Sequence, residues 1–193
     1  KVDQFFSKIN SKFVKWVIGS ASLIVLFSLF PSLFGEGYES IKALSEMNVE
    51  ELFKDSVLFE SINNQWIVLI FILSVMLLKS VAAAITLGSG GNGGNFAPSL
   101  FVGAYLGFAF AFLLRLLGFS NTPIANFTIV AMAGILSGVF HAPLTGIFLI
   151  AEITGGYELI IPLMLVSSFS YIIVKYFQPD SLEIKRLKRM GAI

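Results

Sequence analysis

The chain has 193 residues, of which 56% are apolar and 13% charged, and its formal net charge is +1. Soluble domains average about 25% charged residues, so this composition, with a mean hydropathy of +0.85, belongs in lipid rather than in water. With no cysteine and one histidine, His141, the chain offers no disulfide, no thiol chemistry and no histidine-based metal site or triad.

The charges are segregated. Seven acidic residues fall between Glu36 and Glu60, and the only charged residues from Ser61 to Val174 are Lys79, Arg115, Glu152 and Glu158. Lys185, Arg186, Lys188 and Arg189 form a basic cluster near the end. Basic flanks favour the cytoplasmic side of a membrane. The C-terminus is therefore expected inside, with Lys1, Lys8, Lys12 and Lys15 suggesting the same for the N-terminus. The cluster then serves as an anchor at the lipid surface. The chain opens without an initiator methionine and reads as a piece of a longer protein.

In chain order, residues 3–15 are amphipathic and basic, the tail of a preceding helix or an interfacial one. Residues 16–34 form an apolar run interrupted by Pro31 and closed by Gly35. The polar segment 36–60 predicts short helices at 38–47 and 49–53, with Glu36 in a turn. Residues 66–87 carry one charge, Lys79, and are long enough to cross about 30 Å of hydrocarbon. A second span covers 95–117 and a third helix 125–140, whose small residues allow close helix packing. His141-Ala142-Pro143 breaks that helix. Residues 144–154 are too short to cross alone, Gly155-Gly156 breaks the chain again, and 157–177 spans. Residues 179–193 form a polar, basic terminal helix. The fold class is thus an all-α membrane protein of about seven to nine broken and tilted helices. Interrupted helices with ends at mid-membrane mark ion-coupled transporters and channels rather than simple anchors.

The most informative stretch is Gly88-Ser89-Gly90-Gly91-Asn92-Gly93-Gly94-Asn95-Phe96-Ala97-Pro98, a glycine-rich loop running into an apolar helix. A helix start leaves its first N–H groups without partners, and the helix dipole makes that end partly positive. Glycines let backbone approach a bound group, and proline suits the first helical turn. Together they predict an anion site over Gly94, Asn95, Phe96, Ala97 and Pro98, with backbone N–H groups as donors and Pro98 in the first helical turn. The loop is not a nucleotide-binding P-loop, because no Lys-Ser/Thr pair follows it.

Gly94-Asn95-Phe96-Ala97-Pro98 resembles the GxFxP anion-binding motif of the chloride channel/transporter (CLC) family. The resemblance continues through Ser99-Leu100-Phe101-Val102-Gly103-Ala104, Ala131-Met132-Ala133-Gly134 and His141-Ala142-Pro143-Leu144-Thr145-Gly146-Ile147. It extends to Glu152-Ile153-Thr154 with Tyr157-Glu158-Leu159-Ile160-Ile161-Pro162-Leu163-Met164, and to the helix start Pro179-Asp180-Ser181-Leu182. It implies the C-terminal half of an inverted-repeat transmembrane domain, in which N–H groups of Asn95 and Phe96 hold the central anion. The missing N-terminal half would supply a serine loop and a gating glutamate in a GREGP-like motif; neither occurs here. The implied activity is transport of chloride or a related small anion, as an anion/proton antiporter. The alternatives are a passive chloride channel or a transporter of fluoride or nitrate. The implied home is a bacterial inner membrane, and the implied state is a homodimer with Ile147, Ile150, Ile160 and Leu163 among its contacts. Membrane lipid and the N-terminal half are the other expected partners; no nucleic acid, no cofactor and no enzymatic activity are expected, with chloride as the substrate.

Two departures from the family pattern stand out. The variable motif position, usually apolar, is Asn95. Four residues after Pro179, where the family often places a tyrosine against the anion, stands Glu183. An ionised carboxylate there repels chloride, so Glu183 is a candidate for lining or coupling only if it points away or is protonated. The other polar residues read more simply. His141 is expected at a helix end with a satisfied hydrogen bond, and Glu152 bonded to a helix end or to Thr154. Lys79 and Arg115 are expected near helix ends, snorkelling. Tyr171 and Tyr176 are expected in packing or an interfacial aromatic belt.

Overall fold

The computed structural model describes residues 2–35, 37–45, 64–189 and 191. Among them the chain is helical throughout: α1 (Val2–Ser7), α2 (Lys12–Leu29), α3 (Tyr38–Ser45), α4 (Gln65–Gly88), α5 (Phe96–Leu116), α6 (Ile124–Phe140), α7 (Pro143–Thr154), α8 (Ile160–Phe177) and α9 (Leu182–Arg189). Single 3₁₀ turns precede α3, at Pro31–Leu33, and α8, at Tyr157–Leu159. Residues 3–15 are not one amphipathic element; the backbone breaks between α1 and α2. The expected turn at Glu36, the helix at 49–53 and the end of the 38–47 helix lie outside the described residues.

The helix ends follow local chemistry. The Asn64 side chain caps α4 by accepting from Trp66 N at 3.0 Å. Gly90 closes it at φ +97°, and Gly91 N donates back to Thr86 O at 2.9 Å. α6 ends on His141 at φ 56°, a left-handed residue directly before Ala142-Pro143. α7 begins with Pro143 and ends on left-handed Gly155 at φ 62°. The long helices are apolar on all sides, as a bilayer requires. Among the described residues four segments are long and apolar enough to cross one: Lys12–Leu29, Gln65–Gly88, Phe96–Leu116 and Tyr157–Lys185. The chain is an integral membrane protein. α6 and α7, with 17 and 12 residues, are shorter.

α5 sits between two cores. Phe101, Tyr105 and Phe108 pack with Leu33, Leu44, Phe71, Ile72 and Val75. Leu100 and Ala104, on its other side, pack with Met132, Leu136, Ile147, Ile150 and Leu163. α6 is the hub, touching α5, α7 and α8. The α5–α6 crossing is tight: a Cβ on Gly107 would lie 2.3 Å from Phe127 O, and one on Gly103 would lie 2.7 Å from Met132 Cα. Two glycines four apart thus let backbones approach as in membrane helix pairs generally. α8 is tied to α6 by Ser170 Oγ, which donates to Gly134 O at 2.7 Å.

The packing corrects the expected dimer contacts. Ile147, Ile150 and Leu163 are buried within the chain's own second core, and Ile160 packs against it. Gly146 explains the register: a Cβ there would lie 2.5 Å from Ser137 Oγ, so this face of α7 is pressed onto α6. The exposed apolar residues of α7 and α8 include Leu144, Phe148, Ile161, Met164 and Leu165.

Replacing Gly107 with valine forces the α5 and α6 backbones apart, and overpacking of this kind costs about 1–3 kcal/mol. The expected result is a lower melting temperature and loss of monodisperse protein in detergent, with a variant at the exposed Ser120, Ser120→Ala, unchanged.

Candidate functional site

The glycine loop is anchored on both sides before it reaches α5. Phe6 of α1 packs under Gly88, where a Cβ would lie 2.9 Å from its ring, and Gly19 of α2 meets Ser89, where a Cβ would lie 2.3 Å from the serine Cβ. Ser89 Oγ donates to Thr86 O at 3.1 Å. Gly91 to Gly94 are exposed.

Asn95 is the N-cap residue of α5, half-buried, and its side chain makes no capping bond. Its carbonyl accepts from Ser99 N at 3.0 Å and from Ser99 Oγ at 2.7 Å. The first intrahelical N–H bond therefore starts at Ser99. The N–H groups of Phe96 and Ala97 precede it, and Pro98 has none to offer. Phe96 is 37% exposed, and its ring lies 6.3 Å from that of Phe140, which brings the end of α6 beside the start of α5.

This helix start opens on a cavity of about 670 Å³, whose wall includes Asn95, Pro98 and Ser99 of α5, Ser80 of α4, and Ile135 and Val139 of α6. The opposite wall is one that sequence reading missed: Gln178, Leu182 and Lys185. Lys185 Nζ donates to Gln178 Oε1 at 2.7 Å. Among the described residues Lys185 is the one charged residue on this wall. The spacing of Leu182 and Lys185, three apart on α9, was the available signal. Glu183, on the intervening face, is exposed and is not among the lining residues. α9 is fixed by Ser181, whose Oγ accepts from Ile184 N at 3.4 Å, and by the Lys188–Asp180 ion pair at 2.6 Å.

The other polar residues sit elsewhere. Lys79 does not snorkel: it is buried inside α4, and its Nζ donates to Leu33 O and Gly35 O, both at 2.9 Å. Arg115 does lie in the last turn of α5, donating to Thr122 O through Nε at 3.2 Å and Nη2 at 3.0 Å. Glu152 accepts from the Tyr157 hydroxyl rather than from Thr154, whose own hydroxyl donates to Ile150 O at 2.7 Å. His141 ends α6 as expected, with its ring edge-on to Tyr171 at 5.8 Å. Lys175 Nζ donates to Tyr171 Oη at 2.6 Å, and Tyr176 is 83% exposed.

The glycine loop thus leads into an apolar helix start beside a largely apolar cavity that holds Ser80, Asn95, Ser99, Gln178 and Lys185, among helices broken at 141–143 and 155–156. The profile of the family described as "Voltage gated chloride channel" matches residues 1–175. The chain belongs to this family. It is 37% identical over 91 residues to the H(+)/Cl(-) exchange transporter ClcA of Vibrio vulnificus, a match covering 46% of this chain and 19% of that protein. It is 29% identical over 172 residues to the voltage-gated ClC-type chloride channel ClcB of Escherichia coli, covering 86% of this chain and 36% of that protein. The chain thus spans well under half the length of either relative.

Proposed function

We propose that this chain forms the C-terminal half of a chloride-transporting membrane domain, and that a chloride or related small anion is held at the start of α5. The single observation that carries this reading is the start of α5, which has no side-chain cap and whose residues Asn95, Pro98 and Ser99 line the cavity. Backbone N–H groups and the helix dipole favour an anion there without a tightly bound cationic ligand. An N-terminal half supplies the facing groups. The C-terminus is cytoplasmic, in a bacterial inner membrane, and two copies associate through the apolar residues that α7 and α8 leave exposed. Anion/proton exchange is the first reading, supported by the Vibrio relative; passive conduction is the second, supported by the name of the Escherichia relative.

Efflux from liposomes carrying the full-length parent, with external pH recorded and the anion varied, tests this directly. Chloride flux with opposed proton movement establishes exchange. Chloride flux without protons establishes a channel or uncoupled carrier. Correctly folded protein that moves neither chloride, nitrate nor fluoride overturns the anion reading.

Asn95→Asp separates the helix start from the anion. A carboxylate at an N-cap is as good for the helix as asparagine or better, so the melting temperature is expected to hold. Chloride affinity is expected to fall by about tenfold or more, because the carboxylate occupies the anion's electrostatic place. Asn95→Ala should change affinity much less.

Glu183 sits one residue from Leu182 on the cavity wall. In this reading it faces away from the anion or is protonated when the anion is bound. Glu183→Gln and Glu183→Tyr are expected to alter chloride affinity or proton coupling; unchanged transport in both removes Glu183 from the mechanism.

A further inference from the structure

Lys79 is a buried charge that the reading above does not use. It is 4% exposed, and it is the one charged side chain buried to that degree among the described residues. Burying an ammonium is costly unless its protons and its charge are both met. Its protons are met: Nζ donates to Leu33 O and Gly35 O and lies 4.6 Å from the Phe101 ring centroid. Among the described residues its charge is met by carbonyl dipoles and a ring face.

The position of this charge is the telling point. A small cavity of about 120 Å³ is lined by Lys79, Gly35, Thr86, Gly93, Gly94 and Pro98. One acceptor of the ammonium, Gly35, is itself on that wall, so the charge sits at the cavity's edge. The small cavity shares Ala83, Leu87 and Pro98 with the large one that carries Asn95. The buried cation therefore stands behind the loop that delivers the α5 start.

We infer that Lys79 is the resident cation of the anion site, raising the potential around Gly94–Pro98 without touching the anion. The inference rests on the proposal that an anion binds at the start of α5. The two carbonyls hold the ammonium on the back wall, and its positive charge strengthens binding. At an effective dielectric of about 20, a unit charge within roughly 10 Å of an anion is in general worth on the order of tenfold in affinity or more.

Chloride binding to the purified full-length parent, measured by calorimetry alongside melting temperature, tests this with three variants. Lys79→Arg keeps the charge, Lys79→Met removes charge and hydrogen bonds, and Lys79→Gln keeps an amide that can donate to both carbonyls. The expected result is a chloride Kd within about threefold of wild type for Arg and about tenfold weaker for Gln and Met. A folded Gln variant with wild-type Kd overturns the inference, even if Met binds weakly, because the clamp alone then suffices. If Met fails to fold, Gln decides. Wild-type protein that binds no anion refutes the anion site itself, whereas wild-type binding with unaffected neutral variants sinks only the role of Lys79.

Discussion

The crossing of α5 over α6 at Gly103 and Gly107 is the constraint on which the rest of the structure depends. Without side chains at these positions the backbones meet within van der Waals range. In lipid no hydrophobic effect pulls helices together, so packing of this closeness must supply the association. It fixes the long axis of α5, places Phe101 and Tyr105 in one core and Leu100 and Ala104 in the other, and sets where the helix begins. The start of α5 is therefore held by its middle, and can remain uncapped because the crossing, not a cap, orders it.

Three of the polar side chains meet breaks in the backbone. Lys79 takes up the carbonyls of the turn before Gly35, Arg115 takes up Thr122 O after α5, and Tyr157 meets Glu152 across the Gly155-Gly156 break. Exposed backbone polar groups have no water to turn to inside a bilayer, so broken helices need such partners wherever they stop. The start of α5 differs in its surroundings: a glycine-rich loop leads into it, and Asn95, Pro98 and Ser99 line a cavity of about 670 Å³.

The charges of the terminal helix are sorted by the same geometry. α9 turns Leu182 and Lys185 to the cavity and leaves Glu183 exposed. A basic side chain, bonded to Gln178, thus stands opposite the helix start, and the nearby carboxylate is kept off that wall.

The sequence by itself determined the helices, their breaks and the special loop, because these are local. Proline, glycine and left-handed positions end helices within a few residues of where they occur, and a run of apolar residues long enough to cross a bilayer is read by counting. It also determined the family, since the motifs are contiguous. Only the tertiary structure decided which faces pack. Helices apolar on every side carry no periodic signal of direction, so Ile147, Ile150 and Leu163 could be placed on an outer surface until the α6 contact showed them in the core. Lys79 meets acceptors 44 and 46 residues earlier in the chain. No local pattern records that pairing, which exists only because α4 folds back along the turn that follows α2.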